Sequence, residues 1–102
     1  MKIIKLEERS FDIKGSMDTE EDYLTFKKLI REIQLQNGET IHFNILDAHE
    51  ISPSIIGFLI KIHNQQKINI VMDIMSLKLG IYLRDVQLLG TFNVTLMNPE
   101  DY

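Results

Sequence analysis

The chain has 102 residues, of which 44% are apolar and 25% charged, and its formal net charge is −4. These values are typical of one globular domain with a modest core, and the negative charge argues against a nucleic-acid binder, which needs a basic surface. The absence of cysteine excludes disulfides, thiolate metal sites and a cysteine nucleophile. No apolar run approaches the roughly 20 residues of a membrane span, and residues 1–8 are too charged for a signal peptide. We therefore expect a cytoplasmic protein without direct membrane insertion.

The beginning of the chain predicts a β-hairpin. Residues 3–6 indicate a first strand, and a polar turn follows at residues 7–10. Residues 11–17 indicate a second strand, which Gly15 interrupts near its end. Because the turn is short, the two strands should pair with each other.

A helix should follow this hairpin. Asp18 or Thr19 is in position to cap it, and the acidic first turn that comes next complements the helix dipole. Asn37-Gly38 should end the helix. Apolar residues spaced by three or four form its buried stripe: Tyr23, Phe26, Ile30 and Ile33.

The second half of the chain predicts three more strands, separated by two helices. Residues 40–46 form the third strand, and a helix runs from Pro53 to about Gln66. Residues 67–74 form the fourth strand. Residues 76–90 then predict a helix that a serine caps and a glycine ends. Residues 91–97 form the fifth strand.

The resulting order, β-β-α-β-α-β-α-β, predicts a single α/β domain over residues 1–97 with a loose tail over residues 98–102. Helical crossovers require parallel neighbours, so the second, third and fourth strands should be parallel and the hairpin makes the sheet mixed. Helices should pack on this sheet. The predicted core consists of Ile13, Phe26, Ile30, Phe43, Ile45, Leu59, Ile70, Met72 and Leu83.

The segment from Asn44 to Ile60 is the most informative part of the chain. It combines an apolar strand, a short polar loop and an abrupt helix start. Ser52 is a suitable N-cap, and Pro53 suits the first helical position, where its missing N–H costs nothing. The free N–H groups and the dipole of such a first turn favour a nearby anion.

The ordered motifs resemble a STAS domain, the fold of the bacterial anti-sigma factor antagonists. Residues 13–18, Ile-Lys-Gly-Ser-Met-Asp, resemble the family's second strand with its Gly-x-Leu-Asp ending. Residues 44–57 resemble its hallmark, in which a strand and loop lead to Asp-Ser-Ser-Gly-x-Gly at a helix start. Residues 88–90, Leu-Leu-Gly, resemble the small turn that ends the family's third helix. The resemblance covers residues 1–97 and implies partner-switching signalling in transcription regulation.

The hallmark motif departs from the family at its most important position. Ser52 takes the place of the family's Asp, Pro53 that of the phosphorylated Ser or Thr, and Ile55 that of the first Gly. Ser54 and Gly57 match. The usual phosphoacceptor is therefore missing, and regulation by phosphorylation would have to use Ser54 or Ser52. The simpler interpretation is that these two serines are an exposed first-turn residue and a cap.

In open α/β sheets, ligands and partners bind at the carboxyl ends of the parallel strands. We expect a protein partner there, and on the exposed side of the second helix. The edge comprises residues 15–17, 47–50, 52–54 and 74–76. The predicted partner-binding residues are Ser16, Met17, Asp47, His49, Glu50, Ser52, Pro53, Ser54 and Met75.

The polar loop before the second helix also raises the question of catalysis or metal binding. Asp47, His49 and Glu50 lie together, but no second pair of ligands follows at helical spacing, so we interpret them as a solvated loop. Nothing brings His42 or His63 to this loop, and both are interpreted as surface histidines. Without a nucleophile elbow, a glycine-rich phosphate loop or a carboxylate pair, we expect no enzyme activity, no metal and no cofactor.

Two non-enzymatic functions remain. The first is a regulatory protein-binding domain, which resembles an anti-sigma factor antagonist and would bind a kinase-like anti-sigma factor. The alternative is a stand-alone STAS accessory subunit of a membrane transport complex, with a structural role and no switch. Both leave self-association as a homodimer open.

Overall fold

Five strands and three helices alternate in the predicted order along residues 1–97, the part of the chain that the computed structural model describes. The strands are β1 Lys2–Glu7, β2 Ser10–Lys14, β3 Thr40–Ile45, β4 Asn69–Ile74 and β5 Val94–Leu96. The helices are α1 Glu20–Ile33, α2 Pro53–Gln66 and α3 Leu77–Asp85. The tail predicted at residues 98–102 lies outside the described residues. Within the described part, no helix is both long and apolar enough to cross a membrane.

The strands form one mixed sheet in the order β1-β2-β3-β4-β5. β1 and β2 form an antiparallel hairpin, and every later pair is parallel, which confirms the predicted α/β class and topology. Each helical crossover steps to the next strand in the same direction, and right-handed crossovers of this kind place all helices on one face. The contacts agree. The ring of Phe26 in α1 lies 5.3 Å from that of Phe43 in β3, and Gly80 lets α3 approach Ile74 in β4 closely.

The core lies between the sheet and its helices. Alternate residues of β2, β3 and β4 are buried on the helix-covered face, as the two-residue period of a strand requires. All nine predicted core residues are at most 4% exposed. Phe11, Phe43 and Phe26 form a chain of aromatic contacts from the sheet to α1. This packing fixes the strand register and hence the positions of the loops at each end of the sheet.

The other face of the same strands is polar, and none of the helices within residues 1–97 covers it. Asn44 donates from Nδ2 to Asp12 Oδ1 over 2.9 Å, and His42 Nε2 lies 2.7 Å from Asp73 Oδ2. His42 therefore lies on the solvent side of the sheet, as predicted, and it pairs with Asp73 of the neighbouring strand. Hydrogen bonds between neighbouring strands thus order the polar side chains of this face.

The end of α1 differs from the prediction. The helix ends at Ile33, and Gln34, with φ of 57°, is the left-handed cap residue. Gly38, which was expected to end the helix, instead turns the chain into β3 with φ of 85°. The early end lets Leu35 pack against the core. The apolar stripe, and not the glycine, therefore sets the helix length.

The boundaries of α3 and β5 were also predicted too generously. α3 ends at Asp85, five residues before Gly90, and the chain turns left-handed at Gln87 with φ of 62°. This turn brings Leu88 and Phe92 into the core, so Phe92 is buried in a turn and β5 begins only at Val94. Burying Leu88 and Phe92 stabilises the fold more than a longer α3 and a longer β5 would.

β2 and β4 are also shorter than predicted. β2 ends at Lys14, because Gly15 has φ of 80° and turns the chain out of the strand. β4 begins at Asn69, because Lys67 is the left-handed residue that ends α2.

Candidate partner-binding site

The carboxyl ends of β2, β3 and β4 lie at one edge of the sheet, as predicted, and their loops meet there. We call this surface the carboxyl-edge platform and define it as residues 15–17, 47–50, 52–54 and 74–76. Its first contact is a single parallel bridge between Met17 and Ile51, in which Ser52 N–H donates to the Met17 carbonyl over 2.7 Å. The chain after β2 therefore continues to pair with the β3–α2 loop beyond the end of the sheet.

Asp47 ties the β3–α2 loop to the end of β2. Its Oδ2 accepts a hydrogen bond of 2.9 Å from Gly15 N–H. Gly15 has φ of 80°, so this carboxylate holds the one residue at which β2 turns away from the sheet. The role that the structure shows for Asp47 is to hold two loops together.

His49 ties the same loop to the start of α3. Its Nδ1 lies 2.7 Å from Ser76 Oγ, which also accepts the Leu79 N–H as the N-cap of α3. Glu50 adds an ion pair of 3.1 Å with Lys78, but both side chains are more than 60% exposed, so the pair contributes little stability. The β3–α2 loop is therefore held from both sides by its neighbours.

The start of α2 has the predicted cap. The Ser52 hydroxyl accepts from Ser54 N–H over 3.2 Å, and Pro53 occupies the first helical position. The Ser52 side chain is only 5% exposed, and its backbone N–H is already bonded to Met17, so the helix start is fixed in place. Ser54 is half-buried, and its hydroxyl donates to Glu20 Oε2 of α1 over 3.2 Å.

The structure separates the predicted partner-binding residues into accessible and inaccessible ones. Ser16, Asp47, His49, Glu50 and Pro53 are exposed, while Ser54 and Met75 are half-buried. The side chains of Met17 and Ser52 are buried, Met17 at 1% exposure. The side chain of Met17 belongs to the core, so Met17 joins the platform only through its backbone.

Sequence reasoning missed two side chains of this region, Glu20 and Lys78. Glu20 belongs to the acidic first turn predicted for α1, and its contact with Ser54, from which it accepts a hydrogen bond, was not foreseen. Lys78 contacts Glu50 across 28 positions of the chain. No periodicity marks either contact, because both depend on how neighbouring loops are placed in space.

The polar side chains of the platform bond to neighbouring loops and helix starts. The Ser76 hydroxyl lies beside His49, yet it is 7% exposed and already serves as the cap of α3. Within residues 1–97, no three His, Asp or Glu side chains are grouped so that they could hold one metal ion. The geometry therefore offers a rigid polar surface with an adjacent helix start.

Comparison with protein-family models, with curated proteins and with solved structures finds no match to this chain.

Proposed function

We propose that this protein is a non-catalytic cytoplasmic regulatory domain that binds a protein partner through the carboxyl-edge platform. The partner in this proposal is a kinase-like anti-sigma factor, by the resemblance to anti-sigma factor antagonists. One observation carries the proposal: the β3–α2 loop is held on both sides, by Asp47 to Gly15 and by His49 to Ser76. A loop that is ordered before binding loses less conformational freedom when a partner docks.

The start of α2 supports a binder that does not use the usual phosphorylation switch. Pro53 has no hydroxyl to modify, and it stands at the position of the family's phosphoacceptor. A phosphate on Ser54 would place about two negative charges beside the Glu20 carboxylate, to which this hydroxyl now donates. Repulsion between these groups opposes modification of Ser54. In the proposal, the usual switch is therefore absent or displaced.

A second function is favoured by one separate observation, the exposed apolar side chains on and after α3. Several large ones are more than one third exposed: Leu77, Ile81, Tyr82, Val86 and Leu89. Apolar surface of this kind is characteristic of subunits that stay permanently covered in a complex. It agrees with the alternative of an accessory subunit in a membrane transport complex. Stable co-purification with a transport ATPase would favour that alternative, whereas a partner that phosphorylates serine would favour the first function.

The test compares two platform variants with two variants at the opposite edge of the sheet. Glu50→Lys reverses an exposed charge of the platform, and Ser54→Trp adds bulk beside Pro53. The matched controls are Glu8→Lys and Thr40→Trp, both at exposed positions of the opposite edge. We expect the platform variants to weaken binding of the co-purified partner by about tenfold, or 1.4 kcal/mol, and the controls to change it less than twofold.

Circular dichroism and thermal unfolding must show that all four variants fold like the unaltered protein. The proposal fails if both platform variants bind normally while the controls abolish binding.

A further inference from the structure

A groove of about 520 Å³ runs between the exposed sides of α1 and α2 and begins at Ser54, a residue that it shares with the platform. It extends from Ser54 to Gln66 along α2, which corresponds to about 18 Å at 1.5 Å per residue. Its sides are the two helices, and both apolar and polar side chains line it. The apolar lining consists of Tyr23, Ile30, Leu35, Phe58 and Ile62.

Three cations line this groove, and its lining contains no carboxylate among the described residues. Lys27 and Arg31 lie four residues apart on the same side of α1, and Lys61 lies on α2. None of the three forms an ion pair within residues 1–97, and Lys27 Nζ lies 5.5 Å from the centre of the Tyr23 ring. In a chain with a net charge of −4, this concentration of unpaired positive charge is complementary to an anionic occupant.

Gly57 is a second and independent indication. It lies in the interior of α2, where glycine is less favourable than alanine, and it lines the groove. A Cβ added at Gly57 would meet no atom within 4 Å, so no contact inside the protein requires a glycine there. By contrast, a Cβ on Gly80 in α3 would lie 3.4 Å from Ile74. The bare backbone at Gly57 allows a molecule in the groove to approach α2 closely.

We propose that this groove binds an acidic amphipathic helix of a protein partner, as a second docking surface beyond the proposed function. An apolar stripe of the helix packs on the half-buried Tyr23 and Phe58, with its backbone close to Gly57. Its carboxylates face Lys27, Arg31 and Lys61. An open groove between two helices, with half-buried aromatic side chains and cations along it, is suited to recognise such a helix. The groove contains Ser54 of the platform but not Glu50 or His49, so Glu50→Lys, and not Ser54→Trp, is the variant that tests the platform alone.

The probe is a synthetic peptide of about 14 residues, long enough to fill the groove as a helix. It carries leucines at helical spacing, flanked by glutamates. The matched probe has lysine in place of every glutamate. Amide chemical shifts of the ¹⁵N-labelled protein report where each peptide binds. We expect the acidic peptide to shift resonances of the groove residues and the basic peptide to leave them unchanged.

Variants of the protein complete the test. Lys27→Glu combined with Arg31→Glu should weaken binding of the acidic peptide by about tenfold. Lys28→Glu, the same change at an exposed position of α1 outside the groove, should alter it less than twofold. Gly57→Leu should block binding while the protein stays folded, because the added side chain enters open space.

Three outcomes would overturn the proposal. The first is that both peptides bind equally or that neither binds. The second is that the amide resonances that shift belong to residues outside the groove. The third is that Lys28→Glu weakens binding of the acidic peptide as much as the double variant does. Glu50→Lys, which tests the platform, should leave binding of the acidic peptide unchanged. Failure of the groove and failure of the proposed function are therefore distinguishable.

Discussion

The helices α1 and α2 begin next to each other, and a side-chain hydroxyl caps both, but their starts are stabilised in different ways. At α1, Thr19 and Asp22 form a reciprocal capping box, and the first turn holds three carboxylates. At α2, Ser52 caps without a reciprocal partner, and the first turn contains Pro53 and no carboxylate. The Ser52 cap is buried, whereas Thr19 is exposed.

The two helix starts therefore differ in burial and in local charge. The positive end of the α1 dipole is neutralised by acidic residues of its own first turn. At the α2 start, Ser52 N–H donates to the Met17 carbonyl and Ser54 N–H donates to the Ser52 hydroxyl, while the first turn contains no carboxylate to neutralise the dipole. Three predictions test this comparison of the two helix starts, and the one with the largest expected effect comes first.

The largest effect is expected from Pro53→Ser under the proposed function. Incubated with ATP and a kinase-like partner, the unaltered protein should take up little phosphate, because Pro53 has no hydroxyl and Ser54 faces Glu20. Pro53→Ser should raise incorporation towards one phosphate per chain, as measured by intact mass, and Pro53→Ala should not. Stoichiometric phosphate on the protein from native cells, mapped to Ser54 and lost in Ser54→Ala, would show that the switch survives.

The next effect concerns the stability of the two caps. Ser52→Ala should lower the free energy of unfolding by about 2 kcal/mol, and Thr19→Ala by about 1 kcal/mol. The difference arises because an N–H left without a partner at the buried cap is poorly solvated, while water replaces the exposed one. Urea denaturation measures both values. Equal losses would mean that burial does not distinguish the two helix starts.

The smallest effect is the pH dependence of the α1 start. Burial on its own raises the pKa of Asp22, but hydrogen bonds with Thr19 and the nearby Met1 ammonium outweigh it and hold that pKa below 3.8. A carboxyl with a lowered pKa stabilises the folded state above its unfolded pKa, and this stabilisation is lost as the pH falls through the folded value.

The unaltered protein should therefore be more stable than Asp22→Asn at neutral pH, and the difference should shrink below about pH 4. Solvent screening limits it to about 0.3–1 kcal/mol. Urea denaturation of both proteins at neutral and acidic pH measures it, and Glu21→Asn is the matched exposed control. A difference that stays constant with pH would rule out a charged role for Asp22.

Local patterns in the sequence determined the elements of this protein. The hydrophobic period distinguished strands from helices, and the nine core residues that it predicted, from Ile13 to Leu83, are all buried. Ser52, Ser76 and Thr19 were recognisable as caps because capping depends on a few consecutive residues. The parallel direction of β2, β3 and β4, and with it the edge at which the platform forms, followed from the helical crossovers.

Only the tertiary structure decided where α1, α3 and β5 stop and which side chains meet. Leu35, Leu88 and Phe92 end regular structure early because their burial outweighs further backbone pairing, and burial depends on the whole fold. The contacts of Asp47 with Gly15 and of His49 with Ser76 join residues 32 and 27 positions apart. The unpaired cations of the α1–α2 groove likewise come together only when the two helices pack side by side. Short-range sequence patterns do not predict such contacts, because the packing of the whole chain determines which distant residues meet.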